Sequence, residues 1–290
     1  MHSRHETAKP LTVPVPTRQR ISAAGHVASK RRLPHGSALA DLDQQGSARI
    51  RFPNSAHGPL QAVLINTAGG LTGDDDIRWS GRAGEHSRLV LSTAACEKLY
   101  RTHGPAARQR THLSVENGAR LDWLPQETIV FNGSSLARSL EVDVASDATA
   151  LIVESLVLGR QAMQESVDRL QLHDRWRIRR NGRLLHAEDL RLDMNGTQNA
   201  QRPSILHHHG ALSTLVLISP EPSESLQLKA QSIRQLLQDR PPGLQAAATV
   251  MNHRLVIRVL ALDSQSLRRF LIPCIEHLSD RMSIPQVWNV

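Results

Sequence analysis

Ser87-Arg88-Leu89-Val90-Leu91, Ala119-Arg120-Leu121-Asp122-Trp123-Leu124 and Thr149-Ala150-Leu151-Ile152-Val153 are three apolar segments that each follow a turn and recur about every thirty residues. Regular spacing of short apolar runs points to stacked β layers of solenoid or sandwich type. Similar runs, separated by Gly, Asn, Asp and Ser, continue from residue 46 to about 220. The fold class is therefore mainly β, a large multi-stranded body with solenoid-like or sandwich-like stacked layers.

Trp176-Arg177-Ile178-Arg179-Arg180-Asn181-Gly182-Arg183-Leu184-Leu185-His186 reads as a hairpin, because Asn-Gly readily takes the left-handed angles of a tight turn. Leu244–Met251 and Leu255–Leu262 suggest a second hairpin. Helical spacing appears only late. Leu226, Ala230, Ile233, Leu236 and Leu237 align on one face of a helix expected near 224–240, with Pro241-Pro242 as its stop. Asp263 is placed to cap a second helix near 263–281, whose Leu267, Phe270, Leu271, Ile275 and Leu278 share a face and which Pro273 interrupts. The expected organisation is a loose polar arm over residues 1–20 followed by one β-rich domain over 21–290.

The chain of 290 residues is long enough to bury a large core without metal or disulfide. Aromatic residues make up 3% of it, so the interior must be aliphatic. Cys96 and Cys274 lie far apart and form no Cys-x-x-Cys pair, which suits a reducing cytoplasm. No apolar run approaches the roughly 20 residues that span a bilayer, and the N-terminal segment lacks a signal-peptide core. The net charge of +8 raises the question of nucleic acid. The Arg residues are dispersed, however, and aromatics for base stacking are scarce, so an acidic protein partner fits the charge better than a nucleic acid.

Candidate chemistry rests on carboxylates. Asn66-Thr67-Ala68-Gly69-Gly70-Leu71-Thr72-Gly73-Asp74-Asp75-Asp76 follows the apolar run Ala62-Val63-Leu64-Ile65 and joins flexible backbone to three adjacent acids. It lacks the alternate acids of a calcium hand and the Gly-Lys-Ser/Thr of a phosphate loop. Glu154 interrupts an otherwise apolar run and must be paired, hydrated or metal-bound, an ion pair with Arg160 being the ordinary alternative. Glu127 follows Pro125 at a strand bend, and Glu165 and Glu188 complete a scattered set whose ordinary alternative is solvated or paired charge. His207-His208-His209 is an extended run whose rings cannot all face one ion, so a surface loop is the expected structure. No nucleophile elbow or Cys/His signature occurs.

Together the chain resembles the urease accessory proteins UreD (UreH). The resemblance is carried by Ala68–Asp76, by Thr93-Ala94-Ala95-Cys96-Glu97-Lys98-Leu99-Tyr100-Arg101, by the segment Gly118–Phe131 with its Trp123-Leu124-Pro125-Gln126-Glu127 centre, by Gly159-Arg160-Gln161-Ala162-Met163-Gln164-Glu165, and by Ile284-Pro285-Gln286-Val287-Trp288. It implies a mostly β fold with two helices and a non-enzymatic scaffold for metallocentre assembly. Such a protein would bind UreF, in a 2:2 assembly, and through it the GTPase UreG. It would dock the set onto apo-urease so that nickel, held only transiently, reaches the active site. Carboxylates and water suit brief holding better than several His or Cys ligands.

By that resemblance Asp75, Glu154 and Glu188, with Asp74, are candidates for the nickel path. Thr93, Lys98, Tyr100, Arg101, Glu127 and Glu165 are secondary candidates from the shared motifs. The family pattern commonly runs Pro-Gly-Gly and then Gly-Gly-Asp, whereas this chain has Ala68-Gly69-Gly70 and Gly73-Asp74-Asp75, with Asp74 in place of a glycine. Two other activities fit some of these residues: a metal-dependent hydrolase built on Asp75, Glu154 and Glu188, and a basic protein adhering to polyanions.

Overall fold

The computed structural model describes residues 20–53, 58–160, 165–195, 206, 208–279 and 284–288. The expected N-terminal arm before Arg20, the Gln161–Gln164 part of the 159–165 motif, His207 and the helix end expected at 280–281 lie outside the described residues.

The elements in chain order are β1 (Ser22–Arg31), β2 (Ser37–Gln45), β3 (Ala48–Arg51), β4 (Leu60–Asn66), β5 (Asp76–Ala83), β6 (Arg88–Thr93), β7 (Glu97–Leu99), β8 (Ala107–Val115) and β9 (Arg120–Leu124). They continue with β10 (Thr128–Val130), β11 (Ser134–Val144), β12 (Thr149–Leu158), β13 (Arg169–Arg180), β14 (Arg183–Asn195), β15 (Ala211–Ile218), helix α1 (Ser223–Leu236), β16 (Gln245–Met251), β17 (Arg254–Ala261) and helix α2 (Ser264–Leu278). A short 3₁₀ turn, Gln286–Trp288, follows.

Two sheets result. One is ordered β14-β13-β11-β8-β5-β1-β2; the other is ordered β16-β17-β15-β12-β9-β6-β4-β3, with β7 and β10 added beside β12. From β4 to β13 the long strands alternate between the two sheets and pair in parallel within each, so the chain winds as a flattened solenoid. The three recurring segments are the rungs β6, β9 and β12, with Leu89 beside Leu121 and Leu121 beside Ala150. They read as continuous apolar runs because both of their faces are covered.

One face of these rungs meets the seven-stranded sheet, where Trp79, Trp123 and Trp176 join an aliphatic core. The opposite face packs under both helices, against Leu226, Ala230, Ile233, Phe270 and Leu271. Strand β8 shows the other pattern, burying alternate residues and exposing the rest, because the seven-stranded sheet has core on one side only. The sheets approach closely at Gly81, where a Cβ would stand 2.5 Å from Leu91 Cδ1.

The Asn-Gly hairpin joins β13 to β14 with Asn181 and Gly182 at φ 48° and 74°, the two positive angles that a tight mirror-image turn requires. The later hairpin, β16 with β17, also forms. Asp263 caps α2, its Oδ1 accepting the Ser266 N–H at 2.6 Å, and Pro273 lies inside that helix. Helix α1 ends at Leu236, before the expected proline stop. There the Leu237 and Gln238 amides turn to carbonyls three residues back, and the exposed Gln238 and Asp239 offer no apolar face to bury.

Candidate functional site

The glycine loop delivers its three aspartates to three places. Gly69 and Gly70 take φ of 80° and 149°, and at Gly70 a Cβ would meet the Lys98 carbonyl at 2.6 Å. Asp74 itself adopts φ 67°, the left-handed conformation that a glycine would otherwise supply and that Asp tolerates better than most residues. Its carboxylate stays in solvent 3.5 Å from Arg20. Asp76 begins β5 and pairs with Arg78 and Arg110.

Asp75 turns inward and is buried. It presents no free carboxylate, because Oδ1 accepts the Ile21 N–H at 2.9 Å and Oδ2 the Thr72 N–H at 2.7 Å. The loop is thereby pinned to the start of β1. Asp75 also lies close enough to act on Glu97, which in the sequence stands out only as part of the Thr93–Arg101 motif. Burial, reinforced by the negative charge of Asp75, pushes the Glu97 carboxyl up to about 7 despite a hydrogen bond from the Asn66 side chain.

Glu154 is buried in β12, and its partner is Arg138, not Arg160, which binds Glu165. β12 and β11 face each other from opposite sheets, so the ion pair spans the core. Trp123 Nε1 donates to Glu154 Oε1 at 2.9 Å, and Arg138 Nη1 donates to Oε2 at 2.5 Å. The other edge of the guanidinium grips Asp174 at 3.0 and 2.6 Å, and Trp176 Nε1 donates to the same carboxylate at 3.1 Å. Burial pushes the Glu154 carboxyl up against the attraction of Arg138. The result is a fully buried Glu-Arg-Asp array closed at each end by a tryptophan.

Glu97 and Glu154 line one cavity of about 150 Å³ between the sheets, with Asn66, Gln109, Trp123 and Thr128. At roughly 30 Å³ per water this holds on the order of five waters. Gln109 Oε1 is buried on its wall with no hydrogen-bond partner. Two acids whose ionisation burial resists, together with an unmet carbonyl oxygen, make a space that gains by admitting a hydrated cation.

Cys96 and Gln126 share this lining and connect it to a second cluster. There Glu127 is gripped by Arg268 at 2.7 Å through each oxygen and receives the Cys96 thiol at 3.3 Å. Burial opposes ionisation of Glu127, but the hydrogen bonds and charge of Arg268 prevail and hold it below the usual carboxylate range. Burial, and after it the negative charge of Glu127, push the Cys96 thiol up to about 11 against the pull of Arg268, so it stays protonated. The C-terminal motif closes the cluster: Gln126 Nε2 donates to the Val287 carbonyl at 3.0 Å, and Trp288 Nε1 to the Leu124 carbonyl at 3.0 Å.

The remaining candidates are dispersed. Thr93 Oγ1 accepts the Gln126 N–H, and Lys98 is exposed beside the cavity. Tyr100 stacks edge-on against Phe131 at 5.2 Å. Glu165 accepts the Asn132 and Arg160 amides, bracing a loop. Glu188 lies at the sandwich rim, 3.0 Å from His186 and 2.5 Å from Arg258, outside the cavity lining. The His209 ring rests between the Leu206 and Gly243 carbonyls. Among the described residues no three His, Cys, Asp or Glu side chains converge to hold a metal. The trio of Asp75, Glu154 and Glu188 required for a hydrolase is thus divided among three sites, each carboxylate already engaged.

The raised Glu97 carboxyl has a measurable consequence. A group held protonated in the fold stabilises it at low pH and loses that contribution as pH climbs through the folded value. Between about pH 4.5 and about 7 the wild type is expected to lose stability relative to Glu97→Gln, by up to about 3 kcal/mol, in denaturant titrations at a series of pH values. Parallel pH profiles for the two proteins would show that Glu97 ionises freely.

Comparison with known proteins places these features in context. The family model described as UreD urease accessory protein matches residues 22–289. A protein of Chelativorans sp. (strain BNC1) named urease accessory protein UreD is 42% identical over 285 residues, covering 98% of this chain and 99% of its own. One of the same name from Rhizobium leguminosarum bv. trifolii is 42% identical over 272 residues, covering 94% of this chain and 96% of its own. Another from Agrobacterium fabrum is 40% identical over 272 residues, covering 94% and 92%.

Proposed function

Because this chain belongs to the UreD family of urease accessory proteins and so has a role in urease maturation, we propose that it is a non-enzymatic scaffold that conducts nickel to apo-urease. It binds UreF in a 2:2 assembly and, through UreF, the GTPase UreG, and it works in the cytoplasm. Nickel is its cargo and is held only in passing. The observation that carries this reading is the cavity between the sheets, walled by Glu97, Glu154 and the unmet Gln109 oxygen.

Such a wall suits transit. Carboxylate and amide oxygens exchange nickel faster than a set of imidazoles or thiolates, and the protonated Cys96 at the mouth does not trap it. Asp75, which fixes the loop beside Glu97, tunes that carboxylate and need not touch the ion. Asp74, beside Arg20 in solvent, and Glu188, held by His186 and Arg258, lie away from this wall. Glu127, anchored to Arg268, holds the mouth in shape.

The test is co-expression of the urease subunits and the other accessory proteins with and without this chain, reading urease activity and nickel content. Nickel-loaded, active urease is expected only with the chain present. Equal nickel content in both cultures would end the delivery reading.

A further inference from the structure

At the loop end of the seven-stranded sheet, apart from the carboxylate cavity, lies a second hollow of about 180 Å³ with the opposite electrostatic character. Arg101 follows the short strand β7, and its backbone bridges to Ser134 at the start of β11. Arg169 begins β13, and its carbonyl accepts the Gly133 N–H at 2.7 Å. Both arginines therefore flank Gly133. A Cβ at that glycine would stand 3.0 Å from Arg101 Nε and 3.2 Å from its Cγ, so the missing side chain lets the Arg101 stem lie across the turn.

Three features make this a binding site and not a fold constraint. The Arg101 and Arg169 side chains have no acidic partner among the described residues, whereas Arg78, Arg82, Arg179 and Arg191 of the neighbouring strands are each paired with a carboxylate. The Ser134 hydroxyl, 2% exposed, lines the hollow and makes no hydrogen bond, although buried hydroxyls are normally satisfied. His103 and Ser135 add polar atoms, and none of the described lining residues is acidic.

We propose that this hollow binds a small oxyanion of the phosphate class. Two arginines and a serine hydroxyl line one hollow, and these are the donor types that charge-assisted recognition of such an ion uses. The volume admits one phosphate-sized ion with a few waters. The occupant ties the β7–β8 loop to the start of β13 and gives Arg101, in the Thr93–Arg101 motif, a function separate from nickel.

The experiment is titration of the full-length chain with inorganic phosphate, followed by calorimetry at an ionic strength held constant with sodium chloride. Saturable 1:1 binding is expected. Arg101→Gln with Arg169→Gln should weaken it tenfold or more, and sulfate should compete. Ser134→Ala gives a second, independent readout. It removes an unpaired hydroxyl, so in phosphate-free buffer it should leave the unfolding midpoint unchanged or higher, yet weaken phosphate binding several-fold. Absence of saturable binding at matched ionic strength, or equal affinity in the double variant, would overturn the proposal.

Discussion

Replacing Arg138 with leucine is expected to lower the unfolding free energy by about 3–5 kcal/mol, a drop of order 10 °C in Tm for a chain of this size. The Arg138 side chain is 2% exposed and stands between Glu154 and Asp174 in the core between the sheets. Removing it leaves two buried carboxylates facing each other without a counter-charge. The size of the loss comes from the stranded acids more than from the pair itself, which a second variant distinguishes. Adding Glu154→Gln and Asp174→Asn to Arg138→Leu removes both charges while each amide oxygen still accepts its tryptophan N–H. That triple variant should recover most of the loss in thermal unfolding. A single variant as stable as wild type would mean that water reaches the array.

The largest functional effect is expected from Glu97→Gln combined with Glu154→Gln. Each change is close to isosteric and keeps an oxygen on the cavity wall, but together they remove both ionisable carboxyls from it. Nickel incorporated into co-expressed urease should fall about tenfold or more, on the scale seen when groups around a metal path are altered. Co-purification with the accessory partners should survive, because neither side chain is on the outer surface. Loss of the complex would assign the residues to assembly, and unchanged nickel content would remove the cavity from the route. Glu154→Leu is a poorer probe, because it leaves the Trp123 N–H without an acceptor and Arg138 with one partner.

Much of the architecture is legible from local chemistry. The rungs β6, β9 and β12 announce themselves because each is covered on both faces and so carries an uninterrupted apolar run. Asn181-Gly182 dictates its own turn, and Asp263 its own cap. The site is harder to read, since it is built from residues that only the winding of the chain brings together. Glu154 stands out in the sequence as a charge in an apolar strand, but nothing local selects Arg138 on the facing sheet over Arg160 nearby. Glu97 lies in a short edge strand with the look of an ordinary surface acid, and its raised carboxyl depends on burial and on the charge of Asp75 from another turn of the solenoid. An uncharged signal was available in Gln109, which falls on the inward phase of β8 and has no partner.

The alternation of strands between two parallel sheets also has a kinetic meaning. Every rung pairs with a segment about thirty residues away, so among the described strands no pair of neighbours in sequence can settle early, except β1–β2, β3–β4, β13–β14 and β16–β17. Loop closure must be completed before parallel pairing repays it, and such folds form slowly. Until the terminal hairpins arrive, the growing stack shows bare strand edges and the apolar underside that α1 and α2 later cover. A nascent chain of this design is vulnerable to self-association for longer than a helical bundle of equal length, and a binding partner present during synthesis would shorten that interval.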